Sequence, residues 1–133
     1  MRRVGRRLEL DERRVSEWLT AYQDAWQSYD PATIGDLFSE DVSYRYHPYD
    51  EPERGRATVV ASWLEERDAE GTYEGSYEPL VVAGDMAIAT GTSTYKDGDE
   101  VRIYDNCFIL RFDADGRCTE FTEWYMRRPD PTG

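Results

Sequence analysis

Residues 101–127 read VRIYDNCFILRFDADGRCTEFTEWYMR, and this stretch decides the fold class. Two runs of alternating apolar and polar residues flank the turn sequence Asp113-Ala114-Asp115-Gly116, so the stretch predicts a long β-hairpin. Similar runs precede it, and turn signals join them in the same way. Because sequential strands with tight turns form an antiparallel meander, we expect four strands at about 73–83, 86–96, 101–112 and 117–127.

The first half of the chain has helical spacing. Residues 15–29 place apolar and aromatic side chains on one helix face, and further helices are predicted at 32–38 and 57–67. Residues 42–46 alternate as a strand. A meander with one apolar face must bury that face against the helices, which predicts one α+β domain.

Composition excludes several classes of function. The 133 residues include 16 basic and 28 acidic side chains, a net charge of −12, so we do not expect nucleic acid as a partner. No apolar run has the ~18 residues of a membrane span, and no signal peptide is recognisable, so we expect no membrane partner and a cytoplasmic location. The hairpin sets Cys107 and Cys118 out of register, and both are predicted to be free thiols.

The N-terminus differs from the rest of the chain in charge. Residues 1–14 are predicted to be a basic, flexible arm, residues 15–127 one domain and residues 128–133 a C-terminal tail. The arm either contacts anions or an acidic neighbouring subunit, or is a solvated terminus. Its arginines are Arg2, Arg3, Arg6, Arg7, Arg13 and Arg14.

Four local sequences in this order resemble the nuclear transport factor two superfamily, nearest its SnoaL-like and ketosteroid-isomerase-like branches. They are the helix ending from Tyr22 to Asp30, residues 37–42 before the first strand, Gly55-Arg56 before the third helix, and residues 111–117 in the last hairpin. The resemblance covers about residues 15–127. It implies a cone-shaped, strongly curved antiparallel sheet with three N-terminal helices packed on its concave face.

Strand alternation predicts which side chains face the concave side. If Phe108 points inward, so do Tyr104 and Asn106, and if Phe121 points inward, so do Glu123 and Tyr125. With aromatic residues of the helices and first strand, these form a pocket for a small hydrophobic ligand. The alternative is that the same positions are simply the core. The predicted lining is Trp18, Tyr22, Trp26, Tyr44, Tyr46, Trp63, Tyr104, Asn106, Phe108, Phe121, Glu123 and Tyr125.

Glu123 is the first candidate for acid–base chemistry. Desolvation among aromatic side chains raises the pKa of a carboxyl and suits it to proton transfer. The alternative for Glu123 is a salt bridge to Arg102 or Arg45 at the pocket mouth. Asn106 either orients a ligand oxygen or holds Glu123.

His47 and Tyr22 are the other catalytic candidates. His47 is the only histidine, and its position before Pro48 resembles the Asp-Pro step that supplies the general base in ketosteroid-isomerase-like members. An unbroken strand turns His47 outward, so this role requires a bulge, and the alternative is a loop histidine. Tyr22 resembles the tyrosine that donates to the oxyanion there. The family's second donor, an Asp, falls at Phe108, so steroid isomerisation by that scheme is not expected.

Two hypotheses of function follow. The first is a cofactor-free proton-transfer enzyme, a cyclase, isomerase or dehydratase acting on a small hydrophobic carbonyl compound. The second is a binding or association module without turnover. No metal-ligand or nucleotide-binding motif is present, so neither a metal nor a cofactor is expected. An apolar outer sheet face predicts a homodimer, as the resemblance also implies, and it consists of Ile103, Cys107, Ile109 and Trp124.

Overall fold

A computed structural model describes residues 10–65 and 72–130. It confirms the α+β class, with helices in the first half of the chain and a long meander in the second. The elements are α1 (Glu12–Ser28), α2 (Pro31–Asp36), β1 (Phe38–Arg45), β2 (Glu53–Arg54), α3 (Arg56–Glu65), β3 (Tyr73–Ala83), β4 (Met86–Asp97), β5 (Glu100–Phe112) and β6 (Cys118–Arg127).

The six strands form one curved sheet in the order β2-β1-β6-β5-β4-β3. Strands β3 to β6 are the predicted antiparallel meander, and their bounds agree with the sequence within three residues. Strand β1, however, pairs parallel to β6, so the expectation of a wholly antiparallel sheet is wrong for this pair. Because α3 and four strands separate β1 from β6 along the chain, no tight turn fixes their relative direction. The two-residue strand β2, which pairs with β1, was not predicted.

Helix α1 begins earlier than the sequence spacing indicates. The Asp11 carboxylate accepts a hydrogen bond from the Arg14 backbone N–H at 2.8 Å, as an N-cap does. Residues 12–14 therefore belong to the helix and not to the predicted arm, of which residues 1–9 lie outside the described part. In the predicted tail, Arg128 N donates to Ile103 O at 2.8 Å, while residues 131–133 lie outside it too.

Two other helix ends differ from the prediction. Helix α2 ends at Asp36, and Phe38 already belongs to β1. The side chain of Phe38 is fully buried. Helix α3 is described as far as Glu65, so the predicted residues 66–67 lie outside the described residues.

The apolar face of α1 packs on the concave face of the sheet. Trp18 lies edge-on to Phe38 and Phe112, with ring centroids 6.1 and 5.6 Å away, and its Nε1 donates to Leu37 O at 3.0 Å. Burying each such side chain contributes about 1.5–3 kcal/mol. We call this end of the concave face, near the turn at 113–116, the closed end, and the end near the turn at 97–99 the open end.

The opposite face of the sheet carries the predicted outward residues. Trp124 is 42% exposed and pairs across the strands with Cys107, which is half-buried. Cys107 and Cys118 are both free thiols, as predicted. None of the described helices is both long and apolar enough to cross a membrane.

Candidate functional site

A cavity of about 340 Å³ occupies the open end of the concave face, between the helices and strands β3 to β6. Its walls are mostly aromatic, and most of its polar groups are hydroxyls. The lining residues are Tyr22, Trp26, Tyr46, Ser62, Trp63, Tyr73, Tyr77, Ser93, Tyr95, Arg102, Tyr104, Asn106, Glu123 and Tyr125.

Glu123 is a buried carboxyl on the wall of this cavity. Only 8% of it is exposed, and Asn106 Nδ2 donates a hydrogen bond to its Oε2 at 2.7 Å. Burial raises the pKa of Glu123 to about 8, and the Asn106 hydrogen bond opposes that rise. Neither predicted arginine pairs with it, since Arg45 Nε donates to Asp50 O and Arg102 Nε faces Glu100. The carboxyl therefore ionises near neutral pH without a cationic partner among the described ion pairs.

A chain of hydrogen bonds leads to Glu123 across four strands. The hydroxyls of Tyr73 and Tyr77 are 2.5 Å apart, and that of Tyr77 is 2.7 Å from Ser93 Oγ. Ser93 Oγ donates to Asn106 Oδ1 at 2.9 Å. Because a hydroxyl carries one proton, Ser93 must accept from Tyr77, and Tyr77 must accept from Tyr73. Every donor in the chain thus points towards Glu123.

Two glycines make room for the tyrosines of this chain. A Cβ on Gly91 would overlap the Tyr77 ring and the Ser76 carbonyl oxygen, and a Cβ on Gly75 would overlap the Tyr73 hydroxyl. Gly91 is the cross-strand neighbour of Tyr77 on one side and of Asn106 on the other. The missing side chains therefore let the Tyr77 ring approach the sheet and reach Ser93.

Two further donors, Tyr22 and Trp63, lie beside the Tyr44 hydroxyl. Burial raises the pKa of Tyr22 well above its usual value, and the charges of Tyr44 and Glu123 act in the same direction, so Tyr22 remains a protonated phenol. Trp63 is fully buried, and its Nε1 has no hydrogen-bond partner within the described residues. The indole lies near enough to the Tyr44 hydroxyl to oppose the burial-driven rise in that pKa. The indole N–H therefore faces the core beside Tyr44, although the Trp63 ring lines the cavity.

The structure brings most of the predicted pocket residues together around the cavity, but four of them lie elsewhere. Trp18, Tyr44, Phe108 and Phe121 are buried but do not line the cavity. They fill the interior beside it, where the rings of Tyr44 and Phe121 stack at 4.3 Å, so they are core residues. The predicted residues that line the cavity are Tyr22, Trp26, Tyr46, Trp63, Tyr104, Asn106, Glu123 and Tyr125.

His47 is not brought to the cavity. It follows β1, and its ring lies between those of Tyr49 and Tyr125, with centroids 5.1 and 4.8 Å away. Its Nδ1 is 3.0 Å from Asp50 Oδ2. His47 thus contacts the cavity only through Tyr125, and its geometry does not provide the bulge that a catalytic role requires.

Sequence reasoning missed six lining residues, and four of them lie on β3 and β4, whose inward positions were not assigned. Gly75 lies between Tyr73 and Tyr77 on the same face of β3, and this Tyr-x-Gly-x-Tyr spacing was the available signal. The six residues are Ser62, Tyr73, Tyr77, Ser93, Tyr95 and Arg102.

No group of three or more His, Cys, Asp or Glu side chains that would hold a metal ion occurs in the residues described. Carboxylates abound in the sequence, yet Glu123 is the one carboxylate among the residues that line the cavity. The chemistry of this lining is that of phenols, an indole, an amide and a single carboxyl.

Comparison with known proteins places this fold and site in a family. The model of the SnoaL-like domain matches residues 19–121, and the chain belongs to that family, within the nuclear transport factor two-like superfamily. A search of curated proteins found no match.

Solved structures with the same fold share little sequence with this chain. An NTF2-like protein of unknown function from Burkholderia xenovorans LB400 has a TM-score of 0.68 and 18% identity, with 92% of this chain and 90% of that one covered. An NTF2-like protein of unknown function from Cytophaga hutchinsonii ATCC 33406 has a TM-score of 0.65 and 14% identity, over 86% and 98%. An LEH-like epoxide hydrolase from M. tuberculosis has a TM-score of 0.65 and 16% identity, over 86% and 84%.

Proposed function

We propose that this protein is a cofactor-free enzyme that transfers protons on a small, largely hydrophobic carbonyl compound, with Glu123 as its acid–base group. The observation that carries the proposal is a buried carboxyl on the wall of an aromatic cavity, with a pKa raised to about 8 and no ion-pair partner among the residues described. A base whose pKa lies near the working pH is unprotonated in a large fraction of the molecules and is still basic enough to take a proton from the substrate. Membership of the SnoaL-like family is consistent with this chemistry.

The reaction begins when the Glu123 carboxylate removes a proton from the carbon next to the substrate carbonyl. The C–H electron pair moves into the carbon–carbon bond, and the carbonyl π pair moves to oxygen, which gives an enolate and a protonated Glu123. Tyr22 lines the cavity as a protonated phenol and would stabilise the enolate oxygen. In a β,γ-unsaturated carbonyl compound the enolate is conjugated. Glu123 then returns the proton to the γ-carbon, whose bonding pair comes from the β,γ double bond, while the α,β double bond and the carbonyl form, and this completes an isomerisation.

Asn106 acts as a positioning residue in this scheme. Its Oδ1 accepts from Ser93, and its Nδ2 donates to Glu123 Oε2, so both polar atoms are engaged within the protein. One donor on Oε2 orients the carboxyl and leaves Oε1 to exchange a proton with the substrate. Asn106 thus holds Glu123, which is one of the two roles expected for it from the sequence.

The experiment is hydrogen–deuterium exchange at carbon in a ketone that fits the cavity. 2-Tetralone in D₂O at pH 8 is expected to exchange its protons next to the carbonyl faster with the protein than in buffer, followed by NMR. Glu123→Gln keeps the size of the side chain and removes its basicity, so we expect the rate to fall by about 10²–10⁴-fold. Glu120→Gln is the matched control, because Glu120 lies on the same strand and is paired with Arg111 on the surface.

The outcomes separate the two hypotheses of function. Exchange that persists in Glu123→Gln would overturn the role of Glu123. Binding of 2-tetralone without enhanced exchange in the wild type would instead support the binding module. Styrene oxide is a useful second substrate, because one structural neighbour is an LEH-like epoxide hydrolase. Hydrolysis of styrene oxide without hydrogen–deuterium exchange in 2-tetralone would indicate that the protein removes a proton from water and not from carbon.

We also propose that two copies pair through the outer sheet face, inside the cytoplasm. The support is Trp124, 42% exposed on that face beside half-buried Ile103 and Ile109. Sedimentation of the wild type as a dimer at micromolar concentration and of Trp124→Glu as a monomer is the expected result. A monomeric wild type would contradict the proposal.

A further inference from the structure

A guanidinium is fixed at the mouth of the cavity. Arg102 is a lining residue, its Cζ lies 5.4 Å from the centroid of the Tyr95 ring, and its Nη1 donates to the Tyr104 hydroxyl at 3.4 Å. Its Nε lies 3.5 Å from Glu100 Oε1, and the side chain is only 33% exposed. These contacts engage Nε and Nη1, so Nη2 remains for a further acceptor at the mouth.

The charge of the lining differs in sign from that of the chain. Among the lining residues, Arg102 is the one basic side chain and Glu123 the one acidic side chain. Burial keeps Glu123 mostly protonated at pH 7, since its pKa is raised to about 8. The cavity wall therefore has a net positive charge at neutral pH, whereas the chain as a whole carries −12. A neutral ligand would gain no electrostatic attraction from the positive charge of the lining.

We propose that the ligand of this cavity is an aromatic carboxylic acid, whose carboxylate binds Arg102 at the mouth while its uncharged rings lie among the tyrosines that lead to Glu123. This inference rests on the proposed function, because it takes the same cavity as the substrate site. It adds an anionic group at one end of the carbonyl compound and an orientation for the whole molecule.

The geometry of β5 sets the reach of such a ligand. Positions 102, 104 and 106 are successive inward residues, so the α-carbons of Arg102 and Asn106 lie about 13 Å apart along the strand. Tyr104 lies between them, and its ring centroid is 5.6 Å from that of Tyr125, the cross-strand neighbour of Asn106. On the opposite wall, Trp26 and the neighbouring α3 indole stack at 4.1 Å, so flat aromatic surfaces border the path from the mouth.

A carboxylate fits the mouth better than a phosphate does. Arg102 is a single guanidinium whose charge Glu100 already opposes, so the mouth repels the two negative charges of a phosphate more strongly than the single charge of a carboxylate.

The test compares two probes of the same shape, 2-naphthoate and 2-naphthamide, by isothermal titration calorimetry at pH 7. The wild type is expected to bind the carboxylate more tightly. In Arg102→Gln, the affinity for 2-naphthoate is expected to fall about tenfold, and that for 2-naphthamide less than twofold. Arg117→Gln is the matched control, since it removes the same charge at a partly exposed arginine that does not line the cavity.

The four indole N–H signals in a ¹H–¹⁵N spectrum report where the probes bind. Trp26 and Trp63 line the cavity, and Trp124 lies on the outer face. We expect both probes to shift the first two signals and leave that of Trp124 unchanged.

Each other outcome overturns a defined part of the proposal. Cavity binding with equal losses for both probes in Arg102→Gln would remove the carboxylate and leave the cavity and the proposed function standing. No shift of the Trp26 and Trp63 signals with either probe would remove the ligand site, and the proposed function with it. Tighter cavity binding of 2-naphthyl phosphate than of 2-naphthoate would replace the carboxylate by a phosphate.

Discussion

The closed end and the open end of the concave face are built from the same strands with the same alternation, and yet buried side chains fill the closed end while the cavity that holds Glu123 occupies the open end. On β5, Phe108 and Leu110 are fully buried at the closed end, while Asn106 lies two residues away on a cavity wall. On β6 the same change separates Phe121 from Glu123. On each of these two strands, a single step from one inward residue to the next separates the packed core from the cavity wall.

This difference shows that inward direction and function are separate properties of a residue. Phe108 and Glu123 are cross-strand neighbours, so the carboxyl sits directly on the packed core. The core keeps water from one side of Glu123, and the cavity admits a ligand on the other. The closed end therefore contributes to the desolvation on which the proposed chemistry of the open end depends.

The largest expected effect on stability comes from opening the closed end. Phe108→Ala is expected to lower the free energy of unfolding by about 3–5 kcal/mol, because it leaves a hole in a fully packed region. Urea denaturation measures this, with the outward neighbour Ile109→Ala as the control for a smaller loss. A cost below about 1 kcal/mol would mean that the two ends are packed alike.

The open end is expected to make stability depend on pH. The pKa of Glu123 is raised from 4.5 to about 8, so between these values the folded state binds more protons than the unfolded state. Stability therefore falls as pH rises through that window, by up to about 1.4 kcal/mol per pH unit. The phenols that face the carboxyl, such as Tyr22 and Tyr77, have raised pKa values and stay neutral throughout.

Glu123→Gln isolates this contribution. The difference in unfolding free energy between the wild type and Glu123→Gln, measured from pH 4.5 to 9, is expected to shift by a few kcal/mol in favour of the variant and then to level off above pH 8. Glu120→Gln is expected to show no such shift. A flat difference would indicate that Glu123 is solvated like a surface carboxyl.

A methyl group at Gly91 is expected to disturb the open end from beneath. Gly91→Ala would place its Cβ against the Tyr77 ring and the Ser76 carbonyl, at a cost of about 1–3 kcal/mol. Because Tyr77 lines the cavity, the affinity for 2-naphthamide should fall as well. Thr92→Val, one residue along β4, is the control, and equal effects on binding from the two variants would contradict the role of Gly91.

The smallest expected effect tests the hydrogen-bond chain itself. Tyr77→Phe removes the hydroxyl between Tyr73 and Ser93 and is expected to cost about 1 kcal/mol of unfolding free energy. Tyr49→Phe, at a residue 81% exposed, should cost almost nothing. Equal losses in the two variants would mean that the chain contributes nothing to the open end.

Much of the fold could be predicted, because its signals are local. Turn residues fix the ends of β3 to β6, and alternation from Phe108 and Phe121 assigns Asn106 and Glu123 to the concave side, where the structure has them. The parallel pairing of β1 with β6 could not be predicted, since no local sequence connects two strands that lie so far apart in the chain.

The candidate site could be predicted only in part. Alternation gives Phe121 and Glu123 the same direction, but whether space remains beside a side chain depends on how all the facing rings pack together. Trp18 was expected in the pocket from the helical spacing of α1 and lies in the core. The hydrogen bond from Ser93 to Asn106 was missed for a related reason, because the chain from Tyr77 through Ser93 depends on the register of three strands at once.

The direction of the hydrogen-bond chain has a consequence for the whole sheet. An ionised Glu123 requires Asn106 to present its amide N–H, and this fixes the orientation of every hydroxyl back to Tyr73. A protonated carboxyl can itself donate, and it then tolerates a rotated amide and a reversed order. Loss or gain of one proton in the interior is thereby coupled to the rotation of polar groups on three further strands, as far as the edge of the sheet.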